Sequence, residues 1–199
     1  MQRTYFTLSI LILTTLLVGC ANPQPQEVKA LEEYRMPTDI PAPVELTQTV
    51  EAEVASKIPP ADCPVTTTTI LSFEAPEPYS SVAPWDGIFW FGSEDLWTAL
   101  PTDGVWAGLP LNPDGYTQKI MWWSSLYDLP NEPEPALVVK GRRLDADAPS
   151  LRFYGATNAF AKDIGDAMLT GVEFPTLGCW EVTGQYKKTG LTFVVWLAP

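Results

Sequence analysis

The side chains with reactive potential in this sequence are three cysteines and 24 acidic residues, and there is no histidine. Without histidine the chain cannot form a Ser-His-Asp or Cys-His nucleophilic site, a His-ligated zinc site or a histidine general acid or base. The sequence also lacks a glycine-rich phosphate loop and a dinucleotide-binding fingerprint. We therefore expect no cofactor, and the chemistry left open is that of thiols and carboxylates.

Four carboxylates lie in the same stretch as four of the eight tryptophans. The carboxylates are Asp86, Glu94, Asp95 and Asp103, and the tryptophans are Trp85, Trp90, Trp97 and Trp106. A glycan hydrolase needs two carboxylates that flank a sugar site, so a carboxylate-dependent enzyme is the alternative hypothesis for function. Turns also favour aspartate, and no recognisable catalytic constellation is present, which favours a protein that is not an enzyme.

Asp145 and Asp147 are candidate calcium ligands, because calcium takes oxygen ligands. Their spacing lacks the pattern of a calcium-binding loop. We therefore predict no metal site.

An apolar segment near the N-terminus, residues 5–18, is followed by Gly19 and Cys20. It is shorter than the roughly 20 residues of a membrane span and fits the apolar part of a secretory signal. The sequence Leu17-Val18-Gly19-Cys20 resembles the lipobox of bacterial lipoproteins, in which the signal is removed before the cysteine and the cysteine is acylated. The resemblance implies lipidation of Cys20 and a membrane as partner through two or three acyl chains. An ordinary signal peptide and a transmembrane anchor are the alternatives.

The same resemblance implies export, with the lipid anchor in the cell membrane facing outward or in the outer membrane of a two-membrane cell. If Cys20 is acylated, Cys63 and Cys179 remain as a pair that can oxidise outside the cytoplasm. Such a bridge would close a long loop and stabilise the domain by roughly 4–5 kcal/mol in the chain-entropy model. Two buried free thiols are the alternative.

The chain is acidic, with a formal net charge of −12. Removal of residues 1–19 takes away Arg3 and no acid, which leaves 11 basic and 24 acidic residues and a net charge of −13. Such a balance disfavours nucleic acid and anionic lipid as partners, because both need clustered lysine and arginine. An envelope protein or glycan remains as the expected partner.

Composition divides the chain into three parts. A signal peptide is predicted at residues 1–19 and a lipid-anchored flexible linker at residues 20–61, where seven prolines and a single aromatic residue disfavour a packed core. All eight tryptophans and both remaining cysteines lie in residues 62–199. We therefore predict a single domain over residues 62–199.

Short runs of β-forming residues recur in this domain, separated by turn residues. The predicted strands are residues 66–73, 87–91, 96–100, 104–108, 117–123, 136–140, 151–154, 171–174, 179–186 and 191–197. The best helix candidate, residues 157–168, is short. The pattern indicates an all-β sandwich, with a small β-barrel as the alternative. The last two strands are predicted to form a hairpin, and the last strand should be central because residues 193–197 are apolar on both faces.

Four short sequence segments of the domain are distinctive in combination. They are Asp95-Leu-Trp97, Leu100-Pro-Thr-Asp-Gly-Val105, Gly141-Arg-Arg-Leu-Asp145 and Phe174-Pro-Thr-Leu-Gly-Cys-Trp-Glu-Val-Thr-Gly184. The domain thus resembles an uncharacterised group of exported bacterial proteins with a Gly-Cys-Trp-Glu-Val-Thr-Gly hairpin near the C-terminus. The resemblance implies an immunoglobulin-like antiparallel sandwich and brings no catalytic residues.

The high density of aromatic residues is the feature that favours a binding function, because exposed aromatic rings stack on sugars and contact partner proteins. The candidates are Trp97, Trp106, Trp122 and Trp123. Neighbouring strand residues face opposite ways, so Trp122 and Trp123 cannot both point into one core, and one is either exposed or covered by a loop or a neighbouring sheet. The alternative is that these tryptophans are all core residues. The leading hypothesis is a non-catalytic envelope module that binds a partner or has a structural role.

Substitution of Cys20 by alanine tests the lipobox interpretation. The variant should lose both the label from radioactive palmitate and its association with membranes, because no thiol remains to be acylated. Retention of the variant in the membrane fraction would contradict the interpretation.

Overall fold

The computed structural model describes residues 57–69 and 73–199. The described residues form ten strands and no helix, so none of them belongs to a helix that could cross a membrane. The strands are β1 (Ile88–Ser93), β2 (Leu96–Pro101), β3 (Val105–Trp106), β4 (Leu111–Asn112), β5 (Gly115–Trp123), β6 (Val138–Arg143), β7 (Arg152–Ala161), β8 (Gly165–Phe174), β9 (Gly178–Tyr186) and β10 (Thr189–Leu197). The predicted signal peptide, Cys20 and residues 21–56 of the predicted linker lie outside the described residues.

The strands form two sheets packed as a sandwich. Sheet A has the order β1-β2-β5-β8-β7, with β4 beside β5, and sheet B has the order β3-β10-β9-β6. Neither sheet of the described chain closes on itself, so the predicted all-β sandwich is confirmed over the barrel. One pair departs from the antiparallel pattern, because β3 runs parallel to β10 after the chain crosses from sheet A to sheet B.

The C-terminal hairpin is confirmed. Strands β9 and β10 are paired over nine residues each, and only Lys187 and Lys188 connect them. Lys187 takes a left-handed backbone conformation with φ of 51°, which this two-residue connection requires. Strand β10 is central, as predicted, because β3 and a hydrogen bond from the Thr66 amide to the Val194 carbonyl occupy its other edge.

Two predicted elements were wrong. The predicted strand at 66–73 is absent from its described residues, because Thr66 accepts from the Val194 amide with its hydroxyl instead of its carbonyl, and the ladder does not continue. The predicted helix at 157–168 is the end of β7, a turn and the start of β8. Pairing between these strands, with Ala159 opposite Ala167, outweighs the helical preference of the alanines.

The main core lies between the sheets, and Trp122 of β5 is one of its two fully buried tryptophans. The Trp122 indole is fully buried and donates to the Thr170 hydroxyl at 3.1 Å. It lies directly against Gly184 of β9, where an added Cβ would come within 2.4 Å of a ring carbon. Glycine at this position is therefore what lets the two sheets close over the ring.

A second core lies on the opposite face of sheet A. Trp90, Trp97 and Trp123 are buried there beneath residues 73–83, which we call the strap. Strap side chains pack on the rings, and the Tyr79 ring meets Trp97 edge-on at 5.2 Å between centroids. The strap is also held by hydrogen bonds, from the Trp90 indole to the Ser80 carbonyl and from the Tyr79 hydroxyl to the Asp166 carbonyl.

A disulfide joins Cys63 to Cys179 of β9, with their Cα atoms 5.7 Å apart. This confirms the predicted pair and shows that neither thiol is free. Because Cys179 is fully buried and β9 lies inside sheet B, the bridge attaches the start of the described chain to an internal strand of the sandwich.

Replacement of both cysteines of this pair by alanine should lower the free energy of unfolding by about 4 kcal/mol, because the bridge closes a loop of 116 residues. Urea denaturation of the two proteins measures the difference. Reductant should bring the unaltered protein to the stability of the variant, and equal stability without reductant would contradict the prediction.

Candidate binding groove

The outer face of sheet A holds a row of three depressions of about 440, 220 and 420 Å³, of which the first is lined partly by the strap and the other two lie beyond it. The first and second depressions share Trp85 and Ile88, and the second and third share Gln118 and Lys119. Because neighbouring depressions share lining residues, they adjoin one another and form an uneven row that crosses the strands. We call it the outer-face groove.

Trp85 stands between the first two depressions, with 40% of its surface exposed. A turn places it there, because the Ile88 amide donates to the Trp85 carbonyl and Gly87 has a φ of 74°, a conformation that favours glycine. The exposed carboxylates Glu74 and Asp86 line the same depression, and none of its described lining residues is basic. This end of the groove therefore combines an open indole with negative charge.

The middle depression lies where strands β2 and β5 separate. The two strands are paired only at Trp97 with Trp123 and at Thr98 with Trp122. Beyond these pairs Trp106 of β3 lines the depression from sheet B, and its half-buried ring packs on Phe174 and Phe193 at centroid distances of 6.0 Å. The depression thus has an aromatic wall that is held by the main core.

Tyr154 of β7 marks the far end of the groove, with 59% of its surface exposed. The register between β7 and β8 shifts between Phe153 and Ala156, and this irregularity releases Tyr154 from regular pairing. The ring lies beside Gly171, whose missing side chain leaves the groove open.

Charged side chains of both signs lie at this end of the groove. Arg152 donates to the Tyr154 hydroxyl at 3.3 Å and to Asp114 at 2.9 Å. These hydrogen bonds raise the pKa of the Arg152 guanidinium above its ordinary value, so it is charged at any physiological pH. Arg152 also lies 3.1 Å from the Glu173 carboxylate, so two carboxylates balance its charge, and exposed Lys119 is the one basic residue that lines this depression.

Three of the four tryptophans predicted as binding residues are not available to a ligand. Trp97, Trp122 and Trp123 have no exposed surface, because Trp122 fills the main core while the strap covers the other two. Trp106 is the candidate that lines the groove.

Sequence reasoning missed Trp85 and Tyr154 as binding residues. Trp85 carried a usable signal, since it stands between Pro84 and Asp86-Gly87 and so belongs to a turn rather than to a strand face. Tyr154 followed by Gly155 was a weaker signal of an irregular strand.

The four carboxylates of the alternative hypothesis do not converge on one site. Asp86 lines the groove, whereas Asp103 caps a turn by accepting from the Val105 amide. Glu94 and Asp95 lie at the other end of the β1–β2 hairpin, about 20 Å from Asp86 for strands of six residues.

The carboxylate of Asp145 forms an ion pair with a positively charged side chain of the protein. Its two carboxylate oxygens accept from Arg143 at 2.6 and 3.1 Å, and one also accepts from the Cys179 amide. The hydrogen bonds from Arg143 hold the pKa of Asp145 below its ordinary value. In the described part of the chain no cluster of three or more acidic or cysteine side chains is arranged to hold a metal ion.

No family model matches this chain, and no curated protein or solved structure matches it at a significant level. A functional interpretation therefore depends on the residues and geometry of the outer-face groove.

Replacement of Trp85 by phenylalanine tests whether the Trp85 indole is accessible to solvent. Since Trp85 is the most exposed of the eight tryptophans, the variant should lose most of the fluorescence that acrylamide quenches readily, while its melting temperature stays unchanged. Collisional quenching with excitation selective for tryptophan measures the effect. The same accessible fraction in both proteins would show that Trp85 is covered in solution.

Proposed function

We propose that this protein is an exported, lipid-anchored and non-catalytic module that holds an extended component of the bacterial envelope in the outer-face groove. The observation that carries the proposal is the groove itself. Of the three strongly exposed aromatic side chains among the described residues, two line it, Trp85 and Tyr154. Concave sites with aromatic walls and a few polar groups are the usual form of a ligand-binding site.

Export and lipid anchoring are supported by the cysteines. The pairing of Cys63 with Cys179 fits an oxidising compartment outside the cytoplasm. It also leaves Cys20 as the one cysteine of the sequence outside this bridge, which agrees with the resemblance of Leu17-Val18-Gly19-Cys20 to a lipobox.

A binding role without catalysis is supported by the chemistry of the groove. The chain has no histidine, and its cysteines are assigned to lipid and to the disulfide. The carboxylates of the groove, Glu74 and Asp86, are both exposed. The general acid of a glycan hydrolase instead needs a desolvated environment, which raises its pKa so that it keeps its proton.

Site-specific photocrosslinking in the native envelope tests this function. Val82 lines the groove and is 71% exposed, while Val138 lies on β6 of sheet B and is 42% exposed. With benzoylphenylalanine at each position in the full chain, illumination should give an adduct with an envelope component from position 82 and none from position 138. Gel electrophoresis of the affinity-purified protein detects the adduct.

The adduct should decrease when Trp85→Ala is added and stay at its original level when Phe160→Ala is added, because Phe160 is exposed outside the groove. Absence of an adduct from position 82, or an adduct whose yield Trp85→Ala leaves unchanged, would overturn the proposed function.

A further inference from the structure

We infer that the component held in the outer-face groove is an oligosaccharide without anionic groups, lying across the strands of sheet A from Trp85 to Tyr154. The inference rests on the proposed function and specifies its ligand.

The aromatic side chains supply the main contact surface. Trp85 and Tyr154 are 40% and 59% exposed, at opposite ends of the groove, and Trp106 lines its middle. An aromatic ring offers a flat apolar face with negative charge above it, which suits the carbon-bound hydrogens on one side of a sugar ring. Aromatic residues at both ends and in the middle provide several such contacts to one chain.

The direction of the groove favours a sugar chain over an extended peptide. A peptide adds to a sheet along a free edge, where unpaired backbone groups receive its own. The outer-face groove crosses the face of the sheet instead, from the edge strand β1 to the edge strand β7, so a ligand lying in it runs across the strands and not along the free edge of either one. A peptide lying there would leave one donor and one acceptor per residue without a backbone partner, a cost that a chain of sugars does not carry.

The polar side chains at the rim match hydroxyl groups. Glu74 and Asp86 can accept hydrogen bonds at one end of the groove, and the Gln118 amide nitrogen and the Lys119 ammonium can donate toward the other. Side chains of this kind bind hydroxyls along a sugar chain while the rings hold its apolar faces.

The charges of the protein and of the groove limit which kinds of oligosaccharide can bind. The chain has a net charge of −12, and the depression at Trp85 has two carboxylates and no basic lining residue among those described. A polyanionic glycan would be repelled at this end. An amino group on the sugar would be attracted, both by the carboxylates and by the face of the Trp85 ring.

Calorimetric titration of the full-length protein in detergent micelles tests the inference. The probes are a glucosamine hexamer, cellohexaose and a galacturonate hexamer, which are cationic, neutral and anionic. The first two should bind and the third should not. Trp85→Ala and Tyr154→Ala should each weaken binding about tenfold, as expected when an aromatic contact worth roughly 1.4 kcal/mol is lost.

Phe160→Ala is the matched control, because it removes an exposed aromatic ring outside the groove and should leave the affinity unchanged. Unchanged melting temperatures verify that the variants are folded. Binding of the galacturonate hexamer alone, or binding that both groove variants leave intact, would overturn the inference.

The failure of this inference can be separated from that of the proposed function. A photoadduct from position 82 with a protein, together with no binding of any hexamer, would overturn the sugar ligand and leave a binding groove in place. Loss of both the adduct and hexamer binding would overturn both. Shortened hexamers after incubation would contradict the non-catalytic part of the proposal.

Discussion

Two adjacent tryptophans on strand β5 impose the constraint on which the rest of the structure depends. Trp122 and Trp123 point to opposite faces of sheet A, and neither has any exposed surface. Sheet A must therefore be covered on both faces. Sheet B covers one face, with Gly184 against the Trp122 ring, and the strap covers the other, where Trp123 meets Trp90 at 4.8 Å between ring centroids.

The outer-face groove results from the limited length of the strap. Residues 73–83 cover the three tryptophans of the second core but do not reach Lys119, Tyr154 or Gly171. The separation of β2 from β5 deepens the uncovered part, because it opens the sheet toward Trp106. The same segment that completes the fold thus sets the boundary of the proposed binding site, and Trp85 stands where the strap leads into β1.

The alternation of apolar and polar residues and the pairing of the cysteines made the fold predictable from the sequence. The site was not predictable in the same way, because it depends on which segments cover sheet A in three dimensions. The apolar run at residues 193–197 predicted a central strand, and the two cysteines predicted the bridge. The helix predicted at 157–168 failed because contacts with a strand beyond the turn decide that segment. The density of tryptophans predicted a binding surface, but at the wrong residues. The irregular strap covers Trp97 and Trp123, whereas a turn leaves Trp85 exposed, and the sequence does not show either arrangement.

The position of the disulfide determines how the domain bears mechanical load. Tension applied to the chain before Cys63 passes across the bridge to Cys179, in a strand that is paired over nine residues with β10 and six with β6. The strap and the turn that holds Trp85 come after Cys63 in the chain and lie off this path. Tension on the upstream chain therefore enters the domain at sheet B and does not pull directly on the strap.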